Sequence, residues 1–423
     1  MVNNTGVNGV DNGTKPSDEE LSKTLHGFAR LQLSLLDRLD ELGRIHGYHI
    51  KIAKLKQLNI KFGVASIRKP PALPFATALV APKVLEDITR RHGASTIQKQ
   101  IARETGQLLP SFCLWLTMSR DTVREIQHSV DPEGAQTRFG GGKKVPKQRG
   151  QLHAVGLFEE LHWDGHEKLG SKALQMGSVG IPIYGGRDHI GAVIELQVVP
   201  NDRCRDTVLH VYLDSVQTTG YMAVQNTFDH GTETGYVKRV IEQLRYLTEL
   251  QRPSTVCLKS TDNIVAESMW SYWLNYAGRN IQATMLQGKV HGWFAQGDPV
   301  HINLFQWIWS KIVQNHLDLF KEYWNSTPRR SQVNKALPTA APNMVMNNPQ
   351  KYGMEHCGTN VPLNVVQEMR AWAVKSREEC MRWVPDEFDE LACQAYHEVG
   401  SPVLRYPTGW ETFNEMLVVL QAM

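Results

Sequence analysis

No run of about 18 consecutive apolar residues occurs in the 423-residue chain, so the sequence offers no ordinary membrane-spanning helix. Cysteine is scarce and dispersed: six residues, at 113, 204, 257, 357, 380 and 393, with no C-x-x-C pair. That spacing argues against a disulfide framework and against a zinc ribbon or knuckle. It points to a reducing compartment, cytosolic or nuclear. Residues 1–18 lack the basic and apolar segments of a signal peptide, and their Asn/Gly-rich composition predicts a disordered tail. The three consecutive glycines before Lys143 are not followed by G-K-[ST], which excludes a phosphate loop there.

What is present is ordinary globular composition, 41% hydrophobic and 21% charged, in a chain long enough for two or three domains. The formal net charge of +3 conceals a block: residues 51–150 hold 18 basic and 7 acidic side chains, a local excess of +11. Such a block is the electrostatic footprint expected for an anionic polymer such as DNA, or else a solvated basic surface.

Residues 19–137 read as a helical region. Leu21, Leu25, Phe28, Leu31, Leu35, Leu39 and Leu42 recur at helical spacing and predict one helix over 19–45, with Ser17 and Glu20 as its capping box. A short basic helix follows, broken at Gly63 and stopped at Pro70-Pro71. Helices are expected over 83–93, over the segment that Ser95 would cap, and over 119–130 from a Ser119 cap. Their order is helix-turn-helix-like, with a longer apolar segment at 107–118 in place of a tight turn. Residues 138–155 form a basic Gly/Lys-rich linker. Lys51, Lys54, Lys56, Lys61, Arg120, Arg124, Lys143, Lys144, Lys147 and Arg149 are the candidate phosphate contacts.

From residue 156 the period changes. Three strands are expected, with a turn at Gly185-Gly186-Arg187-Asp188. A helix over 205–219 ending at Gly220, a strand over 221–231, a helix from Gly235, a short strand STVCLKS and a long helix from near Asn263 follow. Three antiparallel strands, then strands joined through helices, is the order of an α/β RNase H-like domain, here over 156–325. Three carboxylates stand at informative places in that order. Asp164 lies in the first strand, Asp229 ends the fourth, and Glu267 is one turn into the last helix, at separations of 65 and 38 residues. Convergent carboxylates from separate elements are what two-metal phosphoryl transfer requires, with two Mg²⁺ or Mn²⁺ ions about 4 Å apart.

The motifs D-G-H-E-K-L (164–169), G-I-P-I-Y (180–184), V-V-P-N-D-R (198–203), D-H-G-T-E-T (229–234), N-I-V-A-E-S-M-W (263–270) and N-L-F-Q-W-I-W (303–309) stand around these acids. In them the sequence resembles the fungal integrase-core-domain family, related to retroviral integrases and DDE transposases. W-N…R-R (324–330) and A-P-N (341–343) extend the resemblance, and the similarity runs from about residue 85 to the C-terminus. It implies an RNase H-like, integrase-type core and a metal-binding, catalytic triad at Asp164, Asp229 and Glu267; with the basic block, a DNA partner and a nuclear location are expected. The integrase zinc domain is absent.

Three functions compete: a DDE-type polynucleotidyl transferase or nuclease, a domesticated DNA-binding protein without catalysis, and a helical interaction module. Around the triad, His162, Asp164 and His166 alternate on one strand face. They are read as a zinc set, as carboxylate-orienting neighbours or as packing. Glu233 is a competing third acid. Trp270 and Trp273 are read as core, with base stacking as the alternative. Residues 326–423, a Pro/Asn-rich linker and further helices, carry no visible chemistry and are expected to serve the core or self-association.

Overall fold

The computed structural model describes residues 12–66, 72–108, 122–138, 153–247, 252–259, 262–330 and 336–423. Residues 1–11 of the expected tail, 109–121 of the apolar segment and Ser119 cap, and 139–152 of the linker lie outside these. Two compact units divide the chain, residues 1–143 and 144–423. No helix among the described residues is long and apolar enough to cross a membrane.

The first unit is helical. Helices α1 (Asp18–Arg30), α2 (Leu35–His46) and α3 (Ile52–Lys61) bury Leu21, Leu25, Phe28, Leu42, Leu55 and Leu58 in one cluster. The Ser17–Glu20 capping box is present. The single helix expected over 19–45 is instead two. Ser34 accepts the Asp37 N–H as a new N-cap, and Gln32 adopts a left-handed φ of 55° that breaks the chain direction. Helices α4 (Leu73–Glu86), α5 (Ala94–Thr105) and α6 (Thr122–Val130) share a second cluster around Val80, Ile97, Ile101 and Val123. The helix expected at 83–93 thus lies earlier in the chain. Asp87 accepts the His92 N–H at 2.5 Å, and Arg90 turns with φ 54°, so residues 87–93 cannot continue it. Gly93, not Ser95, occupies the cap of α5. A seventh helix, α7, spans Pro132–Arg138.

The second unit is mixed α/β. Strands β1 (Glu160–His166), β2 (Ile183–Asp188), β3 (Val193–Val198), β4 (Gln225–Asp229) and β5 (Thr255–Leu258) form one sheet in the order β3-β2-β1-β4-β5. The first three are antiparallel, and β4 and β5 add in parallel. Helix α8 (Arg205–Thr219) ends where Gly220 takes a left-handed φ of 78°. With α9 (Gly235–Leu244) it joins one core cluster, burying Val208, Val211, Tyr212 and Val240 with Trp163 and Phe228. The other cluster brings together α10 (Ile264–Trp273), α11 (Arg279–Val290), α12 (Pro299–Asn325) and the last helix, Gly409–Ala422. Val300, Leu304, Trp307, Ile308 and Ile312 have the spacing of one buried helix face; Leu304, Trp307, Ile308 and Ile312 are buried, with Trp309 beside them, whereas Val300 is exposed. The C-terminal helices therefore complete the core of the same unit: Trp410 lies in the Trp309 cluster and donates its indole N–H to the Thr284 carbonyl at 2.7 Å.

The pair Gly185-Gly186, expected to be a turn, lies inside β2, and the reversal comes after Asp188. The glycines are there for width. A Cβ on Gly185 would stand 2.7 Å from Leu196 Cδ2 and 3.1 Å from the Trp270 ring. One on Gly186 would stand 2.7 Å from the Trp163 ring. Gly186→Ala is therefore expected to destabilise this unit by roughly 1–3 kcal/mol through overpacking, lowering its urea midpoint. An unchanged midpoint would mean that Trp163 is not packed against this strand.

Candidate functional site

Parallel pairing sets the first two acids side by side. Glu160 pairs with Gln225, Leu161 with Asn226 and His162 with Thr227. Two residues further in that register, Asp164 stands level with Asp229 on the neighbouring strand. Adjacent strands are about 4.8 Å apart, and even steps preserve the face. Glu267 comes to them from α10, which packs over β1. Its charge and that of Asp229 both bear on Asp164. Burial first, then the Asp229 and Glu267 carboxylates, push the Asp164 carboxyl up to about 7. Asp164 is 7% exposed, Asp229 half-buried and Glu267 exposed, so the group opens outward from one buried acid.

The sequence gives no direct sign of how Asp164 is held. The Trp270 indole N–H donates to Asp164 Oδ2 at 3.0 Å, and its ring stacks on His166 with centroids 4.8 Å apart. Trp270 is one helical turn beyond Glu267 and so shares its face. The missing side chain at Gly185 leaves the room its ring occupies. Trp270 is thus part of the core, as its spacing implies, and also a donor to the site. Trp273 is fully buried core. Burial keeps His166 neutral, its pKa falling to about 3.

The zinc reading H-x-D-x-H does not assemble. His166 turns to Trp270, and the imidazole that meets His162 is His189, just past β2, with Nε2 and Nδ1 3.0 Å apart. Glu160, His162 and His189 form a group whose ligand atoms lie within 4.8 Å of one another, and this small group could hold a metal ion. Among the described residues no other set of three His, Cys, Asp or Glu meets that limit, the acidic trio included. Glu233 is not a third acid of the trio. It is buried just before α9, with Arg203 3.4 Å away.

In the first unit, Lys51, Lys54 and Lys56 are exposed at and along α3, and Arg124 is exposed on α6. Lys61 is tied to Asp18 in an ion pair. Arg120, Lys143, Lys144, Lys147 and Arg149 lie outside the described residues. Neither protein-family models nor curated proteins give a match to the sequence.

Proposed function

We propose that the chain carries an RNase H-like, integrase-type core and performs divalent-metal-dependent cleavage or strand transfer on DNA. The observation that carries this reading is the level placement of Asp164 and Asp229 on adjacent parallel strands, with Glu267 charged toward the same point. The strand order β3-β2-β1-β4-β5, three antiparallel strands extended by two parallel ones, is the order such a core needs. The motifs resembling the fungal integrase-core-domain family support it from the sequence side.

The donor set is three carboxylates, hard oxygen ligands suited to Mg²⁺ or Mn²⁺. Two ions would share such ligands across about 4 Å, which does not require all three carboxylates to crowd one point. Asp164 and Asp229 would hold ions jointly, and Glu267 would hold one of them. Bound there, the ions would stabilise charge on the attacking and leaving oxygens. The protein's own part is positional. Trp270 fixes the Asp164 carboxylate through its indole N–H, and the sheet fixes the Asp164–Asp229 spacing. The half-open side leaves Glu267 accessible to a phosphodiester.

A second reading, a DNA-binding scaffold without catalysis, is favoured by one observation: the trio is looser than the Glu/His/His group beside it. Incubation of the full chain with duplex DNA and Mg²⁺ or Mn²⁺, with Asp164→Asn as control, separates the two. Cleavage or strand transfer lost in the variant supports catalysis. Its absence from the unaltered chain leaves the scaffold reading.

Both readings include DNA binding by the basic block. Each phosphate neutralised steepens log K against log salt by about 0.9. Replacing Lys51, Lys54 and Lys56 together with Ala is expected to weaken duplex binding evenly across sequences and to flatten that slope by about 2 to 3. Fluorescence anisotropy at several salt concentrations measures it, and an unchanged slope would remove α3 from the interface.

A further inference from the structure

We infer that Glu160, His162 and His189 form a second metal site, selective for a borderline transition ion of the zinc type and separate from the acidic trio. Zinc bound at about 2.0–2.1 Å in a tetrahedron sets its ligand atoms roughly 3.3–3.4 Å apart. Here His162 Nε2 and His189 Nδ1 are 3.0 Å apart, His162 Nε2 and Glu160 Oε1 3.4 Å, and His189 Nδ1 and Glu160 Oε2 3.6 Å. The Glu160 carboxylate thus turns one oxygen to each imidazole nitrogen, at spans close to those of zinc ligands, and one ligand atom from each of the three residues lies within 4.8 Å of the other two.

The groups behind the ligands are set for the same task. The Asn263 amide donates through Nδ2 to the Trp163 carbonyl at 3.2 Å, which turns its Oδ1 toward His162 Nδ1 at 3.1 Å. An acceptor at Nδ1 places the His162 proton there and leaves the Nε2 lone pair facing the centre. The Thr227 hydroxyl donates to Glu160 Oε1 at 2.5 Å and orients that carboxylate. Two imidazoles and one carboxylate suit Zn²⁺ or Co²⁺ better than Mg²⁺, which prefers an all-oxygen shell. The ion would tie β1 to the turn after β2. Through Asn263 it would also fix the start of α10, the helix that carries Glu267 and Trp270. Its role is to position that helix, and it stands whether or not the trio catalyses.

Cobalt titration of the full, chelator-stripped chain tests this. One equivalent of Co²⁺ is expected to give the intense visible absorption of a four-coordinate ion, displaced by Zn²⁺ and not by Mg²⁺. Combined Asp164→Asn, Asp229→Asn and Glu267→Gln should keep that spectrum. His189→Gln and, independently, Glu160→Gln should weaken binding at least about tenfold while circular dichroism stays unchanged. In the unaltered protein, the imidazole resonances of His162 and His189 should move together on Zn²⁺ addition, a readout that needs no variant. Absence of the four-coordinate spectrum, its loss in the trio variant, its survival in His189→Gln, or unmoved His162 and His189 resonances would each overturn the site.

Discussion

Replacement of Asp164 by Asn is expected to lower Mg²⁺-dependent DNA cleavage by at least about a thousandfold. The substitution keeps the size of the side chain and an oxygen to accept the Trp270 indole N–H, so the fold around it should persist. It removes the charge and a hard ligand at the point where Asp229 and Glu267 also act. A metal pair supplies several kcal/mol of charge stabilisation in phosphoryl transfer, and each 1.36 kcal/mol is a factor of ten in rate. Asp229→Asn should match that loss, because its strand position is level with Asp164. Glu233→Gln is the informative control. It is an acid only four residues past Asp229, but it is buried beside Arg203, so it should alter stability while leaving turnover within a few-fold. Cleavage of labelled duplex at fixed Mg²⁺ reads all three. Equal activity in Asp164→Asn and the unaltered chain would end the catalytic reading.

The sheet was legible because its signals are local. The apolar residues Val193, Ile194, Leu196 and Val198 and the α8 face of Val208, Val211, Tyr212 and Val216 each hold their information within one element, and strand and helix both lie where the sequence puts them. The fourth strand is shorter than the stretch 221–231 predicts. Residues 225–229 pair in the main sheet, whereas Tyr221–Met222 pairs with Thr359–Asn360, a partner more than a hundred residues away. Distance in sequence explains the other gaps as well. His189 meets His162 only because β1 and β2 pair antiparallel, which sets residue 162 opposite Arg187. Nothing in the spacing of H-x-D-x-H marks that partner, and the visible repeat pointed to His166 instead. Gly185 and Gly186 looked like a turn because glycine pairs usually are. Their cause is the two indole rings on opposite faces of β2, contributed by Trp163 and Trp270. Trp270 itself has the spacing of a core residue and is one. Its bond to Asp164 depends on a contact 106 residues away.

Metal-free protein is expected to lose stability as pH rises from about 4 to about 7, and Asp164 should account for a separable part of that loss. Its carboxyl is raised from 3.8 to about 7 in the fold by burial and by the two neighbouring acids. Between those values the folded chain holds a proton that the unfolded chain releases, so unfolding gains from each step up in pH. The stabilisation is complete below about pH 4 and gone once Asp164 ionises, a swing of the order of a few kcal/mol. Asp188, raised to about 7, and Asp202, raised to about 6, slope in the same direction. The test is therefore the difference between the unaltered chain and Asp164→Asn, whose stability should vary less over this window and exceed wild type at pH 8 without metal. Mg²⁺ should reverse the ranking, because it binds the ionised carboxylates and relieves their repulsion. At a hundred times its dissociation constant it adds about 2.7 kcal/mol to the folded state, several degrees in melting temperature for a unit of this size. The combined Asp164→Asn, Asp229→Asn, Glu267→Gln variant should melt at or above the wild-type temperature in chelator and show no Mg²⁺ shift. An equal Mg²⁺ shift in both proteins would place the ion elsewhere. The acidic trio would then be two strand residues and one helix-surface residue brought together by the sheet, and the scaffold reading would stand in its place.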